Sequence, residues 1–122
     1  RNFEGNTDTL AADGIEPYRN AMREVGAECG VPVLDIAPAH KALVEHWGNE
    51  GSKRLYLHFT KTEYPNYPAA LPDNTHISKT GANEVAKLVA SAIKEGAKTN
   101  TDLDRLAKKL DSSKNLAPTE PN

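Results

Sequence analysis

The chain has 122 residues, 38% of them hydrophobic and 26% charged, which suits one modest globular core and one domain at most. Fifteen basic residues against 17 acidic ones leave a formal charge of −2, so no basic field favours nucleic acid or an anionic membrane as a partner. No apolar run approaches the roughly 20 residues needed to cross a bilayer, and the opening residues lack the basic start and apolar middle of a signal peptide, so the segment reads as soluble.

Arg1 opens a polar stretch, RNFEGNTDTLAADG, that reads as a loop rather than as the start of a domain. From about Ile15 the pattern changes. Tyr18, Met22, Val25 and Cys29 recur at spacings of four, three and four, which stacks them on one helix face, and Gly30 fits the left-handed position that ends a helix. VPVLDI, residues 31 to 36, is β-branched and apolar up to Asp35 and predicts a parallel-type strand buried on both faces. A second helix is expected through Lys41 to Trp47, closed by Gly48 and Gly51. RLYLHF, residues 54 to 59, predicts a short strand. Pro65, Pro68 and Pro72, among Tyr64, Asn66, Tyr67 and Asn74, exclude a regular helix over residues 60 to 76 and predict a stiffened surface loop. Ser78 sits where an N-cap belongs, and Val85, Leu88, Val89, Ala92 and Ile93 form the apolar stripe of a helix ending near Gly96.

Residues 98 to 122 lose bulk and read as a polar, flexible tail beside a main unit of residues 1 to 97. Leu103, Leu106 and Leu110 suit a short amphipathic helix, of a length that is marginal without packing, and the closing LAPTEPN reads as disordered. No repeat of solenoid period is present.

Asp73 precedes His76 by three positions, at the junction between the loop and the helix that Ser78 caps. A histidine becomes a useful general base when a carboxylate accepts a hydrogen bond from one ring nitrogen, fixing the tautomer and stabilising the imidazolium formed at the other. Spacing alone leaves a second reading open, a loop histidine hydrogen-bonded to an aspartate near a helix start.

The wider context favours chemistry. DNTHISKTGANEVAKLVASAIKE resembles the last block of the SGNH (GDSL-type) hydrolases, in which an Asp-x-x-His pair is followed by a Gly-Ala turn and the C-terminal helix. YRNAMREVGAECGVPVLDI, RLYLHFTKTEYPNYP and DNTHISKTGA, in that order, resemble the rhamnogalacturonan acetylesterase branch, as does the initial RNF. The resemblance covers most of residues 1 to 96 and excludes the tail. It implies a flavodoxin-like three-layer α/β/α domain that removes acetyl esters from a carbohydrate without a cofactor, acting on an acetylated polysaccharide or oligosaccharide. By motif position Asp73 orients His76, and His76 is the general base and later the general acid. It also implies export, secreted or periplasmic, because such substrates lie outside the cell.

The departure from that family is large. The Gly-Asp-Ser-type nucleophile block and the later glycine and asparagine of the oxyanion hole are absent. Ser52, Ser78, Ser91, Ser112 and Ser113 lie in no such block and in no Gly-x-Ser-x-Gly elbow. Only the proton-transferring half is here, so the segment is expected to be inert alone, its sheet incomplete, and its missing partner the N-terminal part of the same domain.

Other residues point less far. Cys29, the single cysteine, excludes an internal disulfide and reads as a buried, inert thiol on an apolar helix face. His40 and His46 are six apart, on opposite sides of a helix, and with His58 they predict no metal site. Tyr64, Tyr67 and Trp47 suit either stacking on sugar rings or packing; Asn74 either faces substrate or turns its loop. The alternative function is a non-catalytic interaction or scaffold module with a structural Asp73–His76 pair and a docking tail. An enzyme requires His76 to be accessible, whereas a module allows it to be buried.

Overall fold

The structure, a computed structural model, describes residues 1–12 and 14–121. Four α-helices and two strands are ordered along the described chain as α1 (Glu16–Cys29), α2 (Ala37–Gly51), β1 (Tyr56–Phe59), β2 (Leu71–Ile77), α3 (Lys79–Gly96) and α4 (Thr101–Ala107), with a 3-10 turn, Ser52–Leu55, between α2 and β1. Helix and strand are therefore mixed, in agreement with an α/β reading, around a sheet of only two antiparallel strands.

The core forms where α2 meets the 3-10 turn and β1. Leu43, Val44 and Trp47 recur at helical spacing on α2 and are buried together with Leu55 and Tyr56. Each such side chain contributes roughly 1.5–3 kcal/mol when fully removed from water. Gly48 breaks α2 with φ 69° and ψ 177°, a conformation open to glycine. Helix α3 closes the other side: the Ser78 hydroxyl accepts from Gly81 N at 3.1 Å, and Ile93 is buried near its end. Helix α4 folds back on α3, where the buried Leu103 lies against Gly96; a Cβ on Gly96 would meet Leu103 Cδ1 at 2.4 Å.

The expected strand at residues 31 to 36 does not form. VPVLDI has no strand assignment, and Val31 and Val33 are exposed. A strand is completed by hydrogen bonds to a neighbour, and none lies beside it among the described residues. The segment instead folds back on α1: Val31 N donates to the Gly26 carbonyl at 2.9 Å, and Val33 Cγ2 fills the space a Cβ on Gly26 would need. Helix α1 ends as expected, at Gly30 with φ 64°, but its apolar face is left largely exposed. Tyr18, Met22 and Val25 are exposed, and Cys29, read as a buried thiol, is exposed as well.

The loop expected over residues 60 to 76 is also shorter than read. Residues 71 to 77 pair with β1, placing Pro72 opposite His58. Proline is tolerated there because, in a two-stranded ribbon, each strand has an edge free of pairing. In the region read as a tail, residues 101 to 107 form α4, and Thr119 lies on α3, its N and Oγ1 donating to the Glu84 carboxylate at 2.9 and 2.7 Å.

Candidate active site

Asp73 and His76 sit in a break of the β ribbon. Tyr56 pairs with Ile77 and His58 with Pro72, so Leu57 alone faces the stretch from Asp73 to His76. Residues three apart in a regular strand point to opposite faces. This extended bulge removes the alternation and brings both side chains to one side, the effect bulges have wherever they re-aim a side chain.

The aspartate builds the bulge and the pair together. Asp73 Oδ1 accepts from Thr75 N at 2.7 Å and from His76 N at 2.9 Å, while Oδ2 lies 2.7 Å from His76 Nδ1. These bonds favour the charged form: the backbone N–H of His76, then that of Thr75, then the His76 ring hold the Asp73 carboxyl down to about 2. An ionised carboxylate only accepts, so Nδ1 carries the proton, and in the neutral ring the Nε2 lone pair is left free. The Asp73 side chain is 19% exposed and that of His76 74%. The free nitrogen is thus open to solvent.

Asn74, between the two, is taken up locally. Its Oδ1 lies 2.8 Å from His58 Nε2 across the ribbon, and its carbonyl accepts from the Arg1 amine nitrogen, while the Arg1 guanidinium reaches Asn49 Oδ1 at 3.1 Å. Asn74 therefore ties the bulge to β1 and to the start of the chain. The junction beyond His76 is clamped too: Ser78 N donates to the Leu55 carbonyl at 3.0 Å and Ser78 Oγ to the Arg54 carbonyl at 2.6 Å. Gly81, from the Gly-Ala pair read as a turn, lies in the first turn of α3, where a Cβ would come within 2.0 Å of the Leu55 carbonyl oxygen.

The remaining candidates lie apart from the pair. Ser52 is buried and donates to the Asn49 carbonyl at 3.4 Å, and Ser78 is engaged as the N-cap. Trp47 is a core residue whose Nε1 donates to the Thr119 carbonyl at 3.0 Å, with the Arg54 guanidinium 5.7 Å from its ring. His40 is half-buried, and burial holds its imidazole below the usual range. His46 meets Glu120 at 2.9 Å. Among the described residues no three His, Cys, Asp or Glu side chains converge on a point, and no helix is long and apolar enough to cross a membrane. The His58–Asn74 contact was not foreseen; only the pairing of β1 with β2 would have revealed it.

No family model matches the chain, and no solved structure matches it. Two curated proteins of Bacillus subtilis (strain 168) do. The rhamnogalacturonan acetylesterase RhgT is 50% identical over 78 residues, which make up 64% of this chain and 34% of that protein. The probable rhamnogalacturonan acetylesterase YesY is 37% identical over 78 residues, 64% of this chain and 32% of that protein. The chain spans about a third of the length of the curated relatives it matches. Over those 78 residues the chain is similar in sequence to the rhamnogalacturonan acetylesterases.

Proposed function

We propose that this chain supplies the Asp–His part of the catalytic triad of a carbohydrate acetylesterase, within an SGNH-type domain of flavodoxin-like three-layer architecture. The substrate is an acetylated pectin-type polysaccharide, and the enzyme works outside the cytoplasm, where that polymer is found. The observation that carries the reading is the 2.7 Å Asp73–His76 contact with an exposed imidazole, in a chain similar to two rhamnogalacturonan acetylesterases.

His76 Nε2 accepts the proton of a serine hydroxyl as that oxygen attacks the acetyl carbonyl. Asp73 stabilises the resulting imidazolium and stays ionised. As the bond between the carbonyl carbon and the sugar oxygen breaks, His76 returns the proton to the sugar. Water then attacks the acetyl-serine; His76 takes a proton from the water and delivers it to the serine oxygen as acetate leaves. The serine and the donors for the developing oxyanion come from the rest of the domain, packed against this chain. Alone, these 122 residues are inert, because a base without a nucleophile to activate does not transfer an acyl group.

A chimera tests this. The matching stretch of RhgT is replaced by this chain's, and acetate release from acetylated rhamnogalacturonan is measured. Release is expected, with a loss of about a hundredfold or more on His76→Ala. A folded chimera that releases no acetate, or one indifferent to His76→Ala, refutes the role. Hydrolysis of p-nitrophenyl acetate by the 122-residue chain itself, if abolished by His76→Ala, refutes the inertness.

A further inference from the structure

The hairpin tip between β1 and β2 carries three aromatic rings for which the proton chemistry has no use. Phe59 closes β1 opposite Leu71. Tyr64 and Tyr67 both pack on it, their ring centroids 4.4 and 5.4 Å from that of Phe59 and their planes tilted by 53° and 55°. The loop is set by its own contacts. Tyr64 and Tyr67 pair as an isolated antiparallel bridge, with Tyr67 N donating to the Tyr64 carbonyl at 2.9 Å. The Glu63 carboxylate accepts from Thr60 N and Oγ1 at 2.8 and 3.0 Å, Thr62 adopts a left-handed φ of 65°, and Pro65 and Pro68 each fix a backbone angle.

Ordered as they are, Tyr64 and Tyr67 remain 46% and 42% exposed, and among the described residues neither phenol has a hydrogen-bond partner. Each ring is packed on Phe59 and still keeps part of its surface, with the hydroxyl, in water. An aromatic face with a hydroxyl at its rim matches a pyranose, which offers an apolar C–H face edged by hydroxyls. Because the loop is already fixed, little conformational freedom is lost when a ligand docks.

We propose that Tyr64 and Tyr67, backed by Phe59, form a sugar-stacking subsite that holds one pyranose of the polysaccharide chain, on the same hairpin whose return strand carries Asp73 and His76. The identity of the polymer rests on the esterase reading; the stacking chemistry does not. The subsite grips the sugar ring rather than the ester, so it binds acetylated and deacetylated chains alike.

The test titrates oligosaccharides cut from rhamnogalacturonan, acetylated and deacetylated, into the 122-residue chain with labelled tyrosine and phenylalanine rings, followed by aromatic NMR. Both forms are expected to shift the Tyr64 and Tyr67 ring signals saturably. Tyr64→Ala or Tyr67→Ala is expected to weaken binding about threefold to tenfold, while Tyr64→Phe and Tyr67→Phe retain most of it. Absent ring shifts, or unchanged binding in the double alanine variant, would overturn the subsite, as would rings that become buried with rising protein concentration and no sugar. Ring shifts with a chimera that releases no acetate would sink the esterase reading and leave the subsite standing; His76-dependent release without ring shifts would do the reverse.

Discussion

Gly81→Ala sets two effects of opposite sign against each other. Exchanging glycine for alanine inside a helix is worth roughly 1 kcal/mol in favour of alanine by propensity. At position 81 the new Cβ would stand 2.0 Å from the Leu55 carbonyl oxygen and 2.9 Å from its carbon, well inside an ordinary contact of about 3.5 Å. Both atoms are backbone, in a turn whose carbonyls already accept from Ser78 N and Oγ at Leu55 and Arg54, so neither can swing away as a side-chain tip would. Relief requires α3 to retreat by over ~1 Å from the 3-10 turn, stretching those bonds and loosening the Leu55 packing. Overpacking of this kind costs about 1–3 kcal/mol or more, enough to outweigh the propensity gain. The assay is urea unfolding of the parent and of Gly81→Ala, with Ala82→Gly, at an exposed neighbouring position, as the control that reports propensity alone. Gly81→Ala is expected to be destabilised by about 1 kcal/mol or more. A variant as stable as the parent or more so would refute the close approach of α3 to Leu55.

Asp73, with its folded pKa depressed to about 2, contributes stability that is complete above its unfolded value and is lost as pH falls through about 2. Carboxyl NMR titration is expected to give a midpoint near 2 for Asp73, and the stability gap between the parent and Asp73→Asn to hold above about pH 4 and close below it; a midpoint near the ordinary aspartate value would contradict the two backbone bonds. Glu84→Ala removes the buried carboxylate that accepts from Thr119 N and Oγ1, losing charge-assisted hydrogen bonds of about 1.5–3 kcal/mol each, and is expected to make the segment near Thr119 more readily cleaved in limited proteolysis. His58→Ala removes the tie to Asn74, so the Thr75 and His76 amides are expected to exchange faster with solvent while the protection of α3 is unchanged; equal exchange in the two proteins would show that Asp73 holds the bulge unaided.

Elements fixed by short-range contacts were legible in the sequence. Ser78 followed by an apolar stripe announces α3 because a cap and a helix face are both local, and Gly30 announces the end of α1 for the same reason. The strand at 31 to 36 was misread because β-branched, apolar composition signals suitability for a sheet, whereas a strand exists only when a neighbour supplies hydrogen bonds. Conversely, LPDNTHI looked like loop: its proline and polar residues mask a strand whose pairing skips four residues. The contact between Asp73 and His76 was legible because it spans three positions. His58 was missed because its partner Asn74 lies 16 residues on, joined by a register that no local pattern encodes.

Helix α1, with Tyr18, Met22 and Val25 in water, has a calorimetric consequence. The heat capacity of unfolding measures apolar surface newly wetted, and a helix whose apolar face is already wet adds little to it. The increment per residue should therefore fall below the roughly 12–15 cal/mol/K usual for globular proteins. A shortfall of that kind would flatten the stability curve, so that this chain loses stability more gradually on both cooling and warming than its length alone would suggest.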